Sequence, residues 1–175
     1  MGFNRTAWQS IKWRLDVYDL SKPSGETVET AVVRHPGAVV LVPINSDGQV
    51  LMLKQYRLPL DQTILEIPAG TRESKEEAWL ECAQRELREE TGFRADTFVD
   101  LGLYWPLPGT SDEELKLFFA TGLTHDPLPQ DFDEESEFVP MALDELCEMA
   151  LDGRMRDMKS CAAVLRVKHH LTQNG

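Results

Sequence analysis

The seven residues Gly37-Ala38-Val39-Val40-Leu41-Val42-Pro43 carry no polar side chain. A strand with one wet face alternates apolar and polar residues, whereas an unbroken apolar run bounded by turn residues needs cover on both faces. The run therefore predicts a central strand whose sheet is covered by helices above and below. Asn45-Ser46-Asp47-Gly48 turns the chain after it, and Gln49–Tyr56 reads as the next strand.

The rest of the chain supplies the layers. Residues 11–20 alternate apolar and polar, Lys22-Pro23-Ser24-Gly25 turns, and Thr27–Arg34 returns, which predicts an N-terminal β-hairpin arm. Further strands are expected at Ile64–Ile67, Thr97–Tyr104, Leu115–Ala120 and Glu137–Met141, and helices at 75–91, Leu143–Leu151 and Met158–Leu171. Strands and helices intermix, so the expected class is α/β, a sandwich around a mixed sheet. Residues 1–34 form the arm, a candidate dimerisation element because an isolated two-stranded ribbon is marginal and its edge invites pairing. Residues 35–175 form the compact domain.

Charge narrows the function. Thirty acidic and eighteen basic residues give a formal net charge of −12. This argues against non-specific binding to nucleic acid or anionic membrane, both of which need a positive field. An anionic substrate would then need a local reversal of sign, most simply by a divalent metal. Cys82, Cys147 and Cys161 are far apart and form no CxxC pair, and the four histidines have no ligand spacing with them, so a zinc site is not expected. The odd cysteine count and the lack of a signal-like apolar run give the expectation of a cytoplasmic protein.

The informative stretch is 74–93. Ser74 followed by Glu77 reads as a capping box, and Gly92 as the C-terminal stop. On a wheel of about 100° per residue, Trp79, Ala83 and Leu87 form the apolar stripe. Glu77, Glu81, Gln84 and Arg88 fall opposite. Glu86 and Glu90, four apart, fall within about 60° of Ala83 on the inward side, with Glu89 at its edge. Two stacked inward carboxylates repel and cost free energy to desolvate; a divalent cation removes both penalties.

Arg85-Glu86-Leu87-Arg88-Glu89-Glu90-Thr91-Gly92-Phe93 resembles the second half of the Nudix box, G-x5-E-x7-R-E-U-x-E-E-x-G-U, where U is a bulky apolar residue. Glu77 is correctly spaced before Arg85, but Gly70 precedes Glu77 by one residue too many. Either the loop carries one insertion, or the loop is shorter and the helix has an extra turn; the capping box favours the extra turn. Gln55-Tyr56-Arg57, Leu65–Gly70, Pro108–Glu113 and the acidic stretch Asp133–Phe138 are similar to segments of the ADP-ribose and nucleoside-diphosphate-sugar pyrophosphatases of that family.

The resemblance implies a Nudix α/β/α sandwich, usually a homodimer, and a small nucleoside diphosphate as substrate. It implies that the Ala69 carbonyl, Glu86, Glu89 and Glu90 hold Mg²⁺, with Mn²⁺ as a substitute, and that Arg85 orients box carboxylates. Glu134 is the positional match for the general base and Glu113 the runner-up, which has an alternative role in holding a metal. Arg57 is a candidate for the diphosphate or terminal ribose, and Glu66 for a sugar hydroxyl or nucleobase. Trp8, Trp13, Tyr104 and Trp105 offer faces for a base, although single aromatics are more often core. The expected reaction is Mg²⁺-dependent hydrolysis of ADP-ribose to AMP and ribose 5-phosphate. The alternatives are another nucleoside diphosphate sugar, a dinucleotide or a capped RNA, the last disfavoured by the charge, and, from another class, a ligand-sensing module without turnover.

Overall fold

A computed structural model describes residues 2–129 and 136–174. The strands are β1 (Gly2–Gln9), β2 (Arg14–Ser21), β3 (Thr27–Arg34), β4 (Ala38–Pro43), β5 (Gln49–Arg57), β6 (Gln62–Glu66), β7 (Ala69–Thr71), β8 (Phe93–Tyr104), β9 (Leu115–His125) and β10 (Ser136–Ala142). The helices are α1 (Trp79–Thr91), α2 (Leu143–Asp152) and α3 (Met158–Asn174). The strands form three sheets in the orders β1-β2-β3, β10-β5-β6 and β7-β4-β9-β8. Within the last, β4 runs parallel to β9 and antiparallel to β7, so the sheet is mixed.

All six residues of β4 are buried, and the two-residue period of a strand divides them between two cores. Val39 and Leu41 meet Cys82, Ala83 and Leu87 of α1, together with Phe118 and Ala120 of β9. Ala38, Val40 and Val42 face the other way, to Leu146 of α2 and Ala163, Val164 and Val167 of α3, with Val50, Met52 and Ile67 in the same cluster. Each fully buried aliphatic side chain contributes roughly 1.5–3 kcal/mol of transfer free energy. The apolar run is thus the seam of an α/β/α sandwich, as its composition predicts.

Two differences from the expected elements matter. The arm is a three-stranded antiparallel sheet rather than a hairpin, because Gly2–Gln9 pairs with β2. That strand hides its period: its register slips between Phe3 and Arg5 and between Thr6 and Trp8, and all eight residues are exposed. Residues 10–13 are a turn, in which the Trp13 N–H donates to Ser10 Oγ at 3.0 Å, so the alternation beginning at Ile11 starts too early.

Helix α1 begins at Trp79 rather than Lys75, which decides for the loop insertion over the extra helical turn. The buried Arg72 guanidinium takes up the backbone carbonyls of Lys75 and Glu77 and, at 3.1 Å, that of Pro36, and it stacks 4.2 Å from the Trp79 ring centroid. Residues 73–78 are accordingly turn and loop ahead of the helix. The Ser74–Glu77 pair instead closes a turn: Ser74 Oγ accepts from the Glu76 N–H at 3.2 Å, and Glu77 Oε2 from the Glu73 N–H at 2.7 Å. Gly92 ends the helix as expected, at φ 71°, its N–H donating to the Arg88 carbonyl.

Candidate active site

The two inward glutamates of α1 are buried, Glu86 at 8% exposure and Glu90 at 3%. Each is fitted to the short strand β7. The Ala69 N–H donates to Glu90 Oε2 at 2.9 Å. Gly70 lies so close to Glu86 that an added Cβ would stand 1.8 Å from its Cδ, so the glycine leaves the space in which that carboxylate rests.

Arg85 ties the carboxylates together. Its Nη1 donates to Glu86 Oε1 at 2.8 Å and Glu89 Oε2 at 2.9 Å, and its Nε to Glu77 Oε1 at 3.1 Å. A further bond, 3.1 Å from Nη2, reaches the Thr71 carbonyl and anchors the β7 loop. Burial alone would lower the guanidinium pKa, but Glu77 and Glu86 more than offset it and hold the group firmly charged. Burial, aided by the nearby Glu77 and Glu86, pushes the Cys82 thiol up to about 12.

The fit to a divalent cation rests on these observations: inward oxygen donors one helical turn apart, and a glycine cradle beside one of them. Such donors suit Mg²⁺ or Mn²⁺ rather than zinc. Among the described residues no three Asp, Glu, His or Cys side chains gather closely enough to hold an ion by themselves. Arg85 engages Glu86 and Glu89, and the Ala69 N–H engages Glu90. Magnesium commonly takes one or two carboxylates and completes its shell with water and substrate phosphate, so the residues present fit it.

A cleft of about 550 Å³ opens beside this cradle, lined by Ala69, Gly70, Glu86, Arg57, Glu113 and Lys159 among others. Lys12 and Trp13 from the arm and His35 also reach it. The acidic chain thus offers three cations here, Lys12, Arg57 and Lys159. Glu113 and Glu86 are the acidic residues on the lining; Glu89 and Glu90 are not on it. Glu113 sits on the loop that β3 fixes: the Val33 N–H donates to the Thr110 carbonyl at 2.9 Å, and Asp112 accepts from Arg34 at 3.1 Å and from the His35 N–H at 2.9 Å. The His35 ring stands 3.7 Å from Glu113, with Nδ1 accepting the Gly37 N–H, and burial lowers its pKa despite that neighbour and Asp112. Glu134 lies outside the described residues.

Arg57 and Glu66 meet each other. Arg57 Nε and Nη2 donate to the two Glu66 oxygens at 2.5 and 2.8 Å, and Lys159 Nζ also donates to Glu66 Oε2. At 2% exposure and with both oxygens taken, Glu66 is not open to a sugar hydroxyl or base; it holds two cations at the cleft. Burial would raise its pKa, but Arg57 and Lys159 hold it below the ordinary carboxylate value. Sequence reasoning missed Lys159 and Arg72. Lys159 is 93 residues from Glu66, and no local pattern marks either cation.

A family model described as the NUDIX domain matches residues 33–162. The chain belongs to the Nudix hydrolase family. This hydrolase is 34% identical over 154 residues to ADP-ribose pyrophosphatase of Bacillus subtilis (strain 168), covering 86% of this chain and 83% of that protein. It is 36% identical over 153 residues to methanol dehydrogenase activator of Bacillus methanolicus, covering 86% and 82%. A crystal structure of an ADP compounds hydrolase matches with a TM-score of 0.80 over 100% of this chain and 97% of that one; at 22% identity the likeness speaks for the fold alone. Nudix hydrolases generally work with divalent metal ions, and the enzymatic reading of the sequence stands over a sensing module. Among the described residues no helix is long and apolar enough to cross a membrane.

The Gly70 cradle generates a direct test. In Gly70→Ala the new methyl group must displace the Glu86 carboxylate by more than an ångström. A misplacement of about 1 Å at a reacting centre costs on the order of 100-fold in rate. We expect kcat to fall by about that factor with a far-UV circular dichroism spectrum like wild type; unchanged kcat would show that Glu86 need not lie against β7.

Proposed function

We propose that this chain hydrolyses the diphosphate bond of ADP-ribose, with Mg²⁺, to AMP and ribose 5-phosphate. The observation that carries the reading is the pair of buried glutamates, Glu86 and Glu90, set against β7 beside a cleft that also presents Arg57 and Lys159. The pyrophosphatase names of relatives at about a third identity support the substrate. The Ala69 carbonyl, Glu86, Glu89 and Glu90 would hold the metal. When bound, Mg²⁺ supplies charge neutralisation on the phosphates and a more acidic attacking water.

The chain's own residues do the rest. Arg85 keeps the box carboxylates charged and in place. Arg57 and Lys159, fixed by Glu66, neutralise non-bridging phosphate oxygens. Water adds to one phosphorus, the bridging P–O bond breaks, and each product leaves with one phosphate. The water's proton passes to a carboxylate, which we assign to Glu134. Glu113, on the cleft lining, is the competing assignment.

Two measurements test this reading. Product analysis should show AMP and ribose 5-phosphate from ADP-ribose, with Glu134→Gln losing roughly 100-fold or more in kcat and little in KM. A large loss in Glu113→Gln with Glu134→Gln near wild type would move the base to the 108–113 loop.

We also propose that the arm packs on a second copy of the chain. Phe3, Trp8, Ile11, Leu20 and Val28 are exposed on it, and β1 presents an open edge. Light scattering at micromolar concentration should give a dimer mass, and an active monomer would rule this out.

A further inference from the structure

The turn between β6 and β7 is held residue by residue, each from a different element. The Pro68 carbonyl accepts from the Leu41 N–H of β4 at 2.8 Å, the Ala69 N–H donates to Glu90 of α1, and Gly70 lies against Glu86. Ile67 lies just past the end of β6, and its N–H donates to Ser160 Oγ of α3 at 2.8 Å. Ser160 is fully buried, so the direction of its hydroxyl is set by protein groups alone. A hydroxyl has one proton and two lone pairs. Ser160 Oγ gives its proton to Asp157 Oδ2, which leaves lone pairs for Ile67.

That same Asp157 oxygen accepts two more donors. The Ser160 N–H reaches it at 3.1 Å, the bond that caps the start of α3, and Lys159 Nζ reaches it at 2.9 Å. A cap needs only the first of these. Lys159 also donates to Glu66, which in turn holds Arg57, so its ammonium is tethered between two carboxylates. Lys159 is on the lining of the diphosphate cleft, whereas Asp157 and Ser160 stand behind it.

We propose that Asp157 is a positioning residue of the active site. One carboxylate oxygen sets the Lys159 ammonium at the cleft and, through the Ser160 hydroxyl, the 67–70 turn against which Glu86 and Glu90 are fitted. The proposal rests on the diphosphate-hydrolase reading. Charge and position make opposite demands here. Asp157 is an anion close to the place of an anionic substrate, so by Coulomb's law alone its removal would tighten phosphate binding. Lysine carries its charge on a flexible four-carbon stem, and losing one of two tethers lets the ammonium leave the phosphate. Positioning therefore predicts weaker binding, and a plain helix cap predicts no change.

Two variants separate the two arms of the clasp. Asp157→Asn keeps an oxygen for the cap and the hydroxyl but loses the ion pair with Lys159; Ser160→Ala keeps the ion pair and loses the bond to Ile67. For Asp157→Asn we expect KM for ADP-ribose to rise roughly tenfold, the scale of one charged hydrogen bond, with kcat changed by less than about twofold. For Ser160→Ala we expect kcat to fall roughly tenfold with KM near wild type, because the turn beside Glu86 shifts. Hydrogen exchange of the Ile67 amide, followed by NMR, should quicken by about tenfold or more in Ser160→Ala.

An unchanged or lowered KM in Asp157→Asn would overturn the assignment, and this result decides even if Ser160→Ala does not fold. Unchanged exchange at Ile67 in folded Ser160→Ala would overturn the link to the turn. Calorimetry with α,β-methylene ADP-ribose reads the Lys159 arm without turnover. A wild type that binds this analogue, with Kd raised about tenfold in Asp157→Asn, but cleaves no ADP-ribose would sustain the clasp and count against the hydrolase reading alone.

Discussion

Glu86 and Glu90 are held on the inward face of a helix, and that placement is the constraint around which the centre of the molecule is arranged. Two unit charges about 4 Å apart interact by about 4 kcal/mol at an effective dielectric of 20, and removing carboxylates from water costs more. The structure meets this with fixed partners. Arg85 joins Glu86 to Glu89 and Glu77, and the Ala69 N–H reaches Glu90. Arg72 shapes the loop that brings Glu77 to Arg85.

The sandwich sets the position of these groups. Leu87 and Ala83 lock α1 onto Val39 and Leu41, while Val40 and Val42 bind the same strand to α3 on the reverse face. Rotation of α1 is therefore opposed by its apolar stripe, and the glutamates are left facing β7. On the other side Ser160 Oγ accepts the Ile67 N–H at 2.8 Å, which fastens the start of α3 to the strand end just before Ala69 and Gly70. Lys159, next in sequence, is delivered to Glu66 and the cleft by that same fastening. Glu86 and Glu90 of α1 and Lys159 of α3 thus come from opposite layers and meet near one loop.

Much of this was legible in the sequence because it is periodic or local. The unbroken run at 37–43 announced the doubly covered strand, and the wheel put Glu86 and Glu90 inside. Local patterns also misled. Ser74 and Glu77 have the spacing of a capping box, yet Arg72, just upstream, takes the Lys75 and Glu77 carbonyls and holds that stretch as a loop. Gly2–Gln9 is a strand whose bulges and full exposure erase alternation. What stayed hidden is long-range: Glu66 looked like a ligand for substrate until Arg57 and Lys159 were seen on both of its oxygens, and no window of sequence contains all three. The base assigned to Glu134 rests on the resemblance, since that residue lies outside the described ones.

If Glu86 and Glu90 form a cation site, the protein should bind a divalent ion only while both charges remain. Electron paramagnetic resonance of Mn²⁺ titrated with the protein, with and without α,β-methylene ADP-ribose, measures this directly. Wild type should remove Mn²⁺ from solution, more tightly with the analogue present, and Glu86→Gln/Glu90→Gln should leave it free while its circular dichroism stays native. Equal Mn²⁺ uptake by the double variant would contradict a cation site on the inward face of α1.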